Sequence, residues 1–218
     1  DGDVVITVTD AATVAQFSTI DGKTSANVVL TGGISDTAAN LAPSGSASSG
    51  LTAATTQDAD VAITITGTDP TVAELNTVAG LTTGAVTATI SGNISTLASL
   101  STGAADAVTA TVTDAVNVAQ FNTLDGKTSV NVVLTGGVSD TAAAYAAANG
   151  TTTSGLTAIG AQDGDVVITV TDAATVAQFN TIDGKTSANV VLTGGISDTA
   201  ANLAPSGSAS SGLTAATT

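Results

Sequence analysis

The stretch "VVITVTDAATVAQF" (residues 4–17) changes period halfway along. Val4, Ile6 and Val8 fall on one side of an alternating run, as in a half-buried strand. Asp10 closes that run with turn chemistry. Val14 and Phe17 then stand three apart, which places them on one face of a helix. The segment predicts a strand followed by a short helix, and the rest of the chain repeats it.

Residues 163–218 copy residues 1–56 with one difference, Ser18 against Asn180, so the shift is 162 residues. A diverged third copy starts near Asp106. Eight strand-like runs begin at Val4, Ala26, Val61, Val86, Val108, Val130, Val166 and Ala188, at spacings of 22, 35, 25, 22, 22, 36 and 22 residues. Positions one, three and five of each run are apolar and are expected to face inward. Position seven is always Asp or Gly.

The segments between the runs read as short helices. "VAQF" pairs Val14 with Phe17, Val118 with Phe121 and Val176 with Phe179, and "STLASL" pairs Leu97 with Leu100. Asp69, Asp36, Asp140 and Asp198 are expected as N-caps, with Pro70 at a first helical position. The "GLTA" segments are expected as loops or short added strands.

A strand and a short helix every 22–25 residues predict a right-handed parallel β-solenoid. A pure parallel β-helix, with "VAQF" as strand, is the alternative. Residues 1–218 are expected to form one continuous solenoid of about eight coils. Its super-repeat is 1–162, with 163–218 copying 1–56, and coil insertions fall near 42–60, 146–165 and 204–218.

Composition narrows the function. Three Lys oppose 18 acids, giving a net charge of -15, and there is no Arg, His or Cys. That charge repels nucleic acid and anionic lipid, and no apolar run is long enough to span a membrane. Without His or Cys the commonest general base, thiolate nucleophile and zinc ligands are absent. The expectation is a protein that is not an enzyme. With 43% hydrophobic residues and mean hydropathy of +0.42, the chain is too apolar for a disordered acidic tail.

Two sets of residues remain as candidate sites. Asp-x-Asp pairs occur at Asp1 and Asp3, Asp58 and Asp60, and Asp163 and Asp165. Carboxylate oxygens of this kind suit calcium, the one cofactor the sequence suggests. Caps, turns and solubility are the plainer reading of the same acids. The second set is the sixth position of each run: Thr9, Thr31, Thr66, Ser91, Thr113, Thr135, Thr171 and Thr193. A ladder of hydroxyls and methyls could face ice or carbohydrate, although β-propensity alone favours Thr on an exposed sheet.

"VTATISGNISTLASL" and "VSDTAA" resemble repeats of very large bacterial surface proteins, the Thr/Ala/Asp-rich adhesins and extracellular matrix proteins of cyanobacteria and marine proteobacteria. The resemblance implies a secreted or surface-displayed structural role: a filament, sheath, matrix or adhesin stalk whose main partner is itself, end to end or laterally. The calcium-binding nonapeptide of some secreted repeat proteins is missing.

Overall fold

A computed structural model describes residues 3–217. They divide into two compact units, one formed by residues up to 111 with 125–131, the other by 112–124 with residues from 132 onward.

In the first unit strands and helices alternate: β1 (Ile6–Val8), α1 (Val14–Asp21), β2 (Val28–Leu30), β3 (Ile34–Thr37), α2 (Ala38–Leu41), α3 (Ser49–Gln57), β4 (Ile63–Thr66), α4 (Val72–Ala79), β5 (Val86–Gly92), α5 (Ile94–Leu97) and β6 (Ala107–Val112), whose last residue lies past the boundary. β1 pairs only with β2, in parallel, with Ile6 opposite Val28. β3, β4, β5 and β6 follow one another in a separate sheet, with Ile34 opposite Ile63 and Ile63 opposite Val86. Phe17, Leu41, Leu51, Leu75 and Leu97 fill the core between strands and helices.

The second unit repeats the pattern with α6 (Val118–Asp125), whose last residue belongs to the first unit, β7 (Val133–Leu134), β8 (Val138–Asp140), α7 (Ala142–Tyr145), α8 (Ser154–Gln162), β9 (Ile168–Val170), α9 (Val176–Asp183), β10 (Val190–Leu192), α10 (Ala200–Leu203) and α11 (Ser211–Ala216). β9 lies between β8 and β10, parallel to both. Phe121, Tyr145, Leu156, Ile159 and Ile182 are buried here.

Polar side chains start the helices. Thr13 and Gln16, Thr71 and Glu74, and Thr175 and Gln178 form reciprocal capping boxes, and Asn117 and Gln120 make the same pair of bonds. Such helices are too short to persist alone, so their apolar faces must pack on strands.

This architecture overturns both the β-solenoid and the pure β-helix. Among the described residues eleven α-helices and two 3-10 turns bring the helical share to 36%, and alternating β-α units build parallel sheets, an α/β fold. Two local causes separate it from the expected single ladder. The first is "GLTA", which lies inside helices α3, α8 and α11 and not in the expected loops or added strands. There Ser48, Thr153 and Ser210 supply N-caps that sequence reading passed over. The "VAQF" segments are helices α1, α6 and α9, as their spacing predicts, which removes the pure β-helix.

The second cause is the Gly-Gly pair after β2 and β7, which opens a further strand, β3 and β8, just where a short helix is expected to begin. A Cβ on Gly32 would lie 2.1 Å from the Asp10 carbonyl carbon, and Gly33 has φ of +76°. The backbone can bend past its neighbour only without a side chain. β2 therefore joins β1, whereas β3 joins β4.

The inward positions follow the predicted alternation at β4, β5, β6 and β9, but Val4 and Val130 are exposed. The predicted caps move as well. Thr37, Thr141 and Thr199 cap α2, α7 and α10, and Thr71 caps α4, so Asp36, Asp140, Asp198 and Asp69 do not.

Candidate functional site

Relieved of capping, Asp36 does something else. It is buried on β3, and its Oδ2 accepts the Val14 N–H at 3.1 Å. Its Oδ1 accepts Thr37 N–H at 2.8 Å and Asn40 Nδ2 at 2.7 Å. Val14 is the first residue of α1, where the N–H has no partner inside the helix. The arrangement recurs 22 residues apart each time: Asp140 on Val118 at 3.1 Å, and Asp198 on Val176 at 3.0 Å. A carboxylate at a helix N-terminus is also favoured by the helix dipole. Asn202 Nδ2 and Thr199 N–H hold the Asp198 carboxyl below its ordinary value.

A Gln-Asp pair forms a second clamp. Gln57 Oε1 accepts Val28 N–H at 2.7 Å, and Asp58 Oδ2 accepts Leu30 N–H at 3.2 Å. Gln162 and Asp163 do the same for Val132 and Leu134, at 2.7 and 3.0 Å. These side chains replace a neighbouring strand along β2 and β7. The recurrence of "QDAD" and "QDGD" in the sequence was a signal for them.

A third set of clamps consists of threonines. Thr82, Thr128 and Thr186 hydroxyls donate to the carbonyls of Val61, Val108 and Val166 at 2.6, 2.8 and 2.6 Å. Sequence reasoning missed all three, which lie between the runs it compared.

The predicted acids fall as follows. Asp1 lies outside the described residues. Asp3 is exposed, and the Ser25 hydroxyl donates to its carboxylate. Asp58 meets Asp60, and Asp163 meets Asp165. Burial pushes both Asp58 and Asp163 above the ordinary carboxylate value, and the neighbouring acid adds to the rise. Asp163 and Asp165 border an open groove of about 520 Å³ with Val133, Gly136 and Val167. Among the described residues no three acids converge as a metal cluster. Calcium prefers six to eight oxygens, and one oxygen each of Asp58 and Asp163 already serves the backbone.

A raised carboxyl pKa means that the charged form costs more in the fold than in the unfolded chain. That cost is present above the folded pKa and disappears as pH falls through it. Asp60→Asn should therefore raise stability at pH 7, by removing the charge beside Asp58. The gain should be smaller at pH 4 than at pH 7, because lowering the pH moves Asp58 toward its neutral form. Urea unfolding at both values measures this, and an equal gain at the two would contradict it.

The sixth-position residues Thr9, Thr31, Thr66, Ser91, Thr113, Thr135, Thr171 and Thr193 are all exposed. The hydroxyls of Thr31, Thr135 and Thr193 donate to Val8, Val112 and Val170 carbonyls, at 2.9, 2.7 and 2.9 Å. Thr66 is in register with Thr37, not with Thr31. Phe17, Phe121, Phe179 and Tyr145, the only aromatic residues, are buried. None is placed to stack on a sugar.

No described helix is long and apolar enough to cross a membrane. Comparison with protein families, with curated proteins and with solved structures finds no match for this chain.

Proposed function

We propose that this chain is a structural repeat of an extracellular assembly, a module of a surface filament, sheath, matrix or adhesin stalk that associates with copies of itself. The observation that supports this reading is the use made of its polar groups. Asp36, Asp140 and Asp198, and both Gln-Asp pairs, are spent on holding one β-α unit to the next. Near-identical copies are what a load-bearing or spacing role asks for, because the same junction must form many times. The acidic surface suits a protein that stays hydrated at high density.

Negative-stain microscopy and sedimentation of the 218-residue protein at micromolar concentration test the reading. Fibres of constant width, unaffected by EGTA, are expected. A species that stays at 20.6 kDa at every concentration would reject it.

A further inference from the structure

The two near-identical copies form a controlled comparison, because each sequence occurs once with a neighbour and once without. "GISDTAA" at 33–39 contains strand β3, paired with β4. The same seven residues at 195–201 make one isolated bridge, Ile196 to Ala174, and no named strand. Leu41 is fully buried, whereas its counterpart Leu203 is half-buried. A Cβ on Gly33 would meet the Ala62 carbonyl oxygen at 2.5 Å, and one on Gly45 would meet Ala73; at Gly195 and Gly207 it would meet nothing within 4 Å.

The other end of the repeat gives the converse. Val166 is 2% exposed beneath the strand that precedes it, whereas its copy Val4 is 59% exposed. β9 is paired on both edges and β1 on one. In the covered copy Gln178 Nε2 donates to Ala146 O at 2.8 Å and Thr181 Oγ1 to Gly150 O at 2.6 Å. Their counterparts Gln16 and Thr19 border an open groove of about 400 Å³ with Ile20, whose own copy Ile182 is fully buried.

The segment that covers β9 and α9 is 138–162, and residues 196–217 are its homologue: "VSDTAAAY" answers "ISDTAANL", and "SGLTA" answers "SGLTA". We infer that residues 196–217 of one molecule dock on β1 and α1 of a second copy of this chain, in the register that 138–162 takes on β9 and α9. Ser197 then lies opposite Thr7, as Ser139 lies opposite Thr169. Thr19 donates to the Gly207 carbonyl, as Thr181 does to Gly150. The contact is heterologous, joining different faces, so each added copy exposes the same pair of faces again. Its occupant is specified by the homologous junction already formed inside the molecule. This deepens the self-association proposed above and rests on it.

Crosslinking tests the register. The chain has no cysteine, and in-register parallel residues lie about 4.8 Å apart, within disulfide reach. A chain carrying Thr7→Cys and Ser197→Cys should give an oxidised ladder of multimers, while Val29→Cys with Ser197→Cys should not. All three changed positions are exposed, so none disturbs the core. Ile20→Lys should weaken association at least tenfold in sedimentation, with helix content unchanged. Multimers that form without the ladder and tolerate Ile20→Lys would overturn this interface but leave the structural role standing. A chain that remains monomeric and forms no ladder would overturn both.

Discussion

Gly136→Ala is expected to cost more than about 4 kcal/mol, the range reached when backbone itself must move. A Cβ there would lie 2.2 Å from both the carbonyl carbon and the oxygen of Asp114. No rotamer relieves the overlap, since every atom involved is main chain. The next residue cannot yield either: Gly137 has φ of +76°, and a Cβ on it would meet the Val167 carbonyl oxygen at 2.8 Å. The bend that passes the chain from β7 to β8 would have to open, and with it the hydrogen bond from Gly136 N–H to Val112 O. Gly103→Ala is the control, because a Cβ at that position has nothing within 4 Å. It should change stability by about 0.5 kcal/mol or less. Urea unfolding of the two variants measures the contrast, and a loss below about 1 kcal/mol for Gly136→Ala would contradict the crowding.

These glycines also mark the limit of what the sequence makes legible. Alternation in "VAITITG" and "VTATISG" locates β4 and β5, and the three-residue spacing in "VAQF" locates α1, α6 and α9. Both signals are local, so one segment suffices to read them. "TGG" after "ANVVL" looks like ordinary turn punctuation. That it sends β2 and β3 to different sheets depends on Asp10, 22 residues earlier, approaching too closely for a Cβ. The strand partition, and hence the α/β class, was hidden for that reason. The helices over "GLTA" were hidden for a different one. Gly, Ser and Thr are weak helix formers, and what holds α3 is the Ser48 cap together with the burial of Leu51 and Ala54.

The candidate acids were legible as recurrent positions but not as roles. Asp36 sits one residue before the true cap, Thr37, and both types suit a helix start. Only the fold shows that the Asp36 carboxylate turns back to α1. Gln57 and Gln162 were marked only by the recurrence of "QDAD" and "QDGD", which does not reveal their role, because the N–H groups they accept belong to residues 29 and 30 positions earlier.

Asp36→Ala should be the most damaging change of a single polar side chain. It strips acceptors from Val14 N–H, Thr37 N–H and Asn40 Nδ2 at a buried position. Losing a hydrogen bond to a charged group costs about 1.5–3 kcal/mol, and a donor left dry costs more than one returned to water. Thr37 and Asn40 are partly solvated and can recover water, so the loss is set mainly by Val14 and should reach about 3 kcal/mol. Asp36→Asn keeps one acceptor oxygen and should lose roughly half of that. Asn40→Ala, on the exposed side, should stay within about 1 kcal/mol. The second copy supplies an internal control, since Asp198 makes the same three bonds in the same sequence but is only half-buried. Asp198→Ala should therefore cost clearly less than Asp36→Ala. Chemical denaturation ranks the four variants, and hydrogen exchange at Val14 and Val176 reads each clamp directly. Equal losses at positions 36 and 198 would mean that burial does not set the strength of the clamp. Association through residues 196–217 should cover Asp198, strengthen its clamp and bring the two positions toward the same cost, so the ranking is measured on dissociated protein.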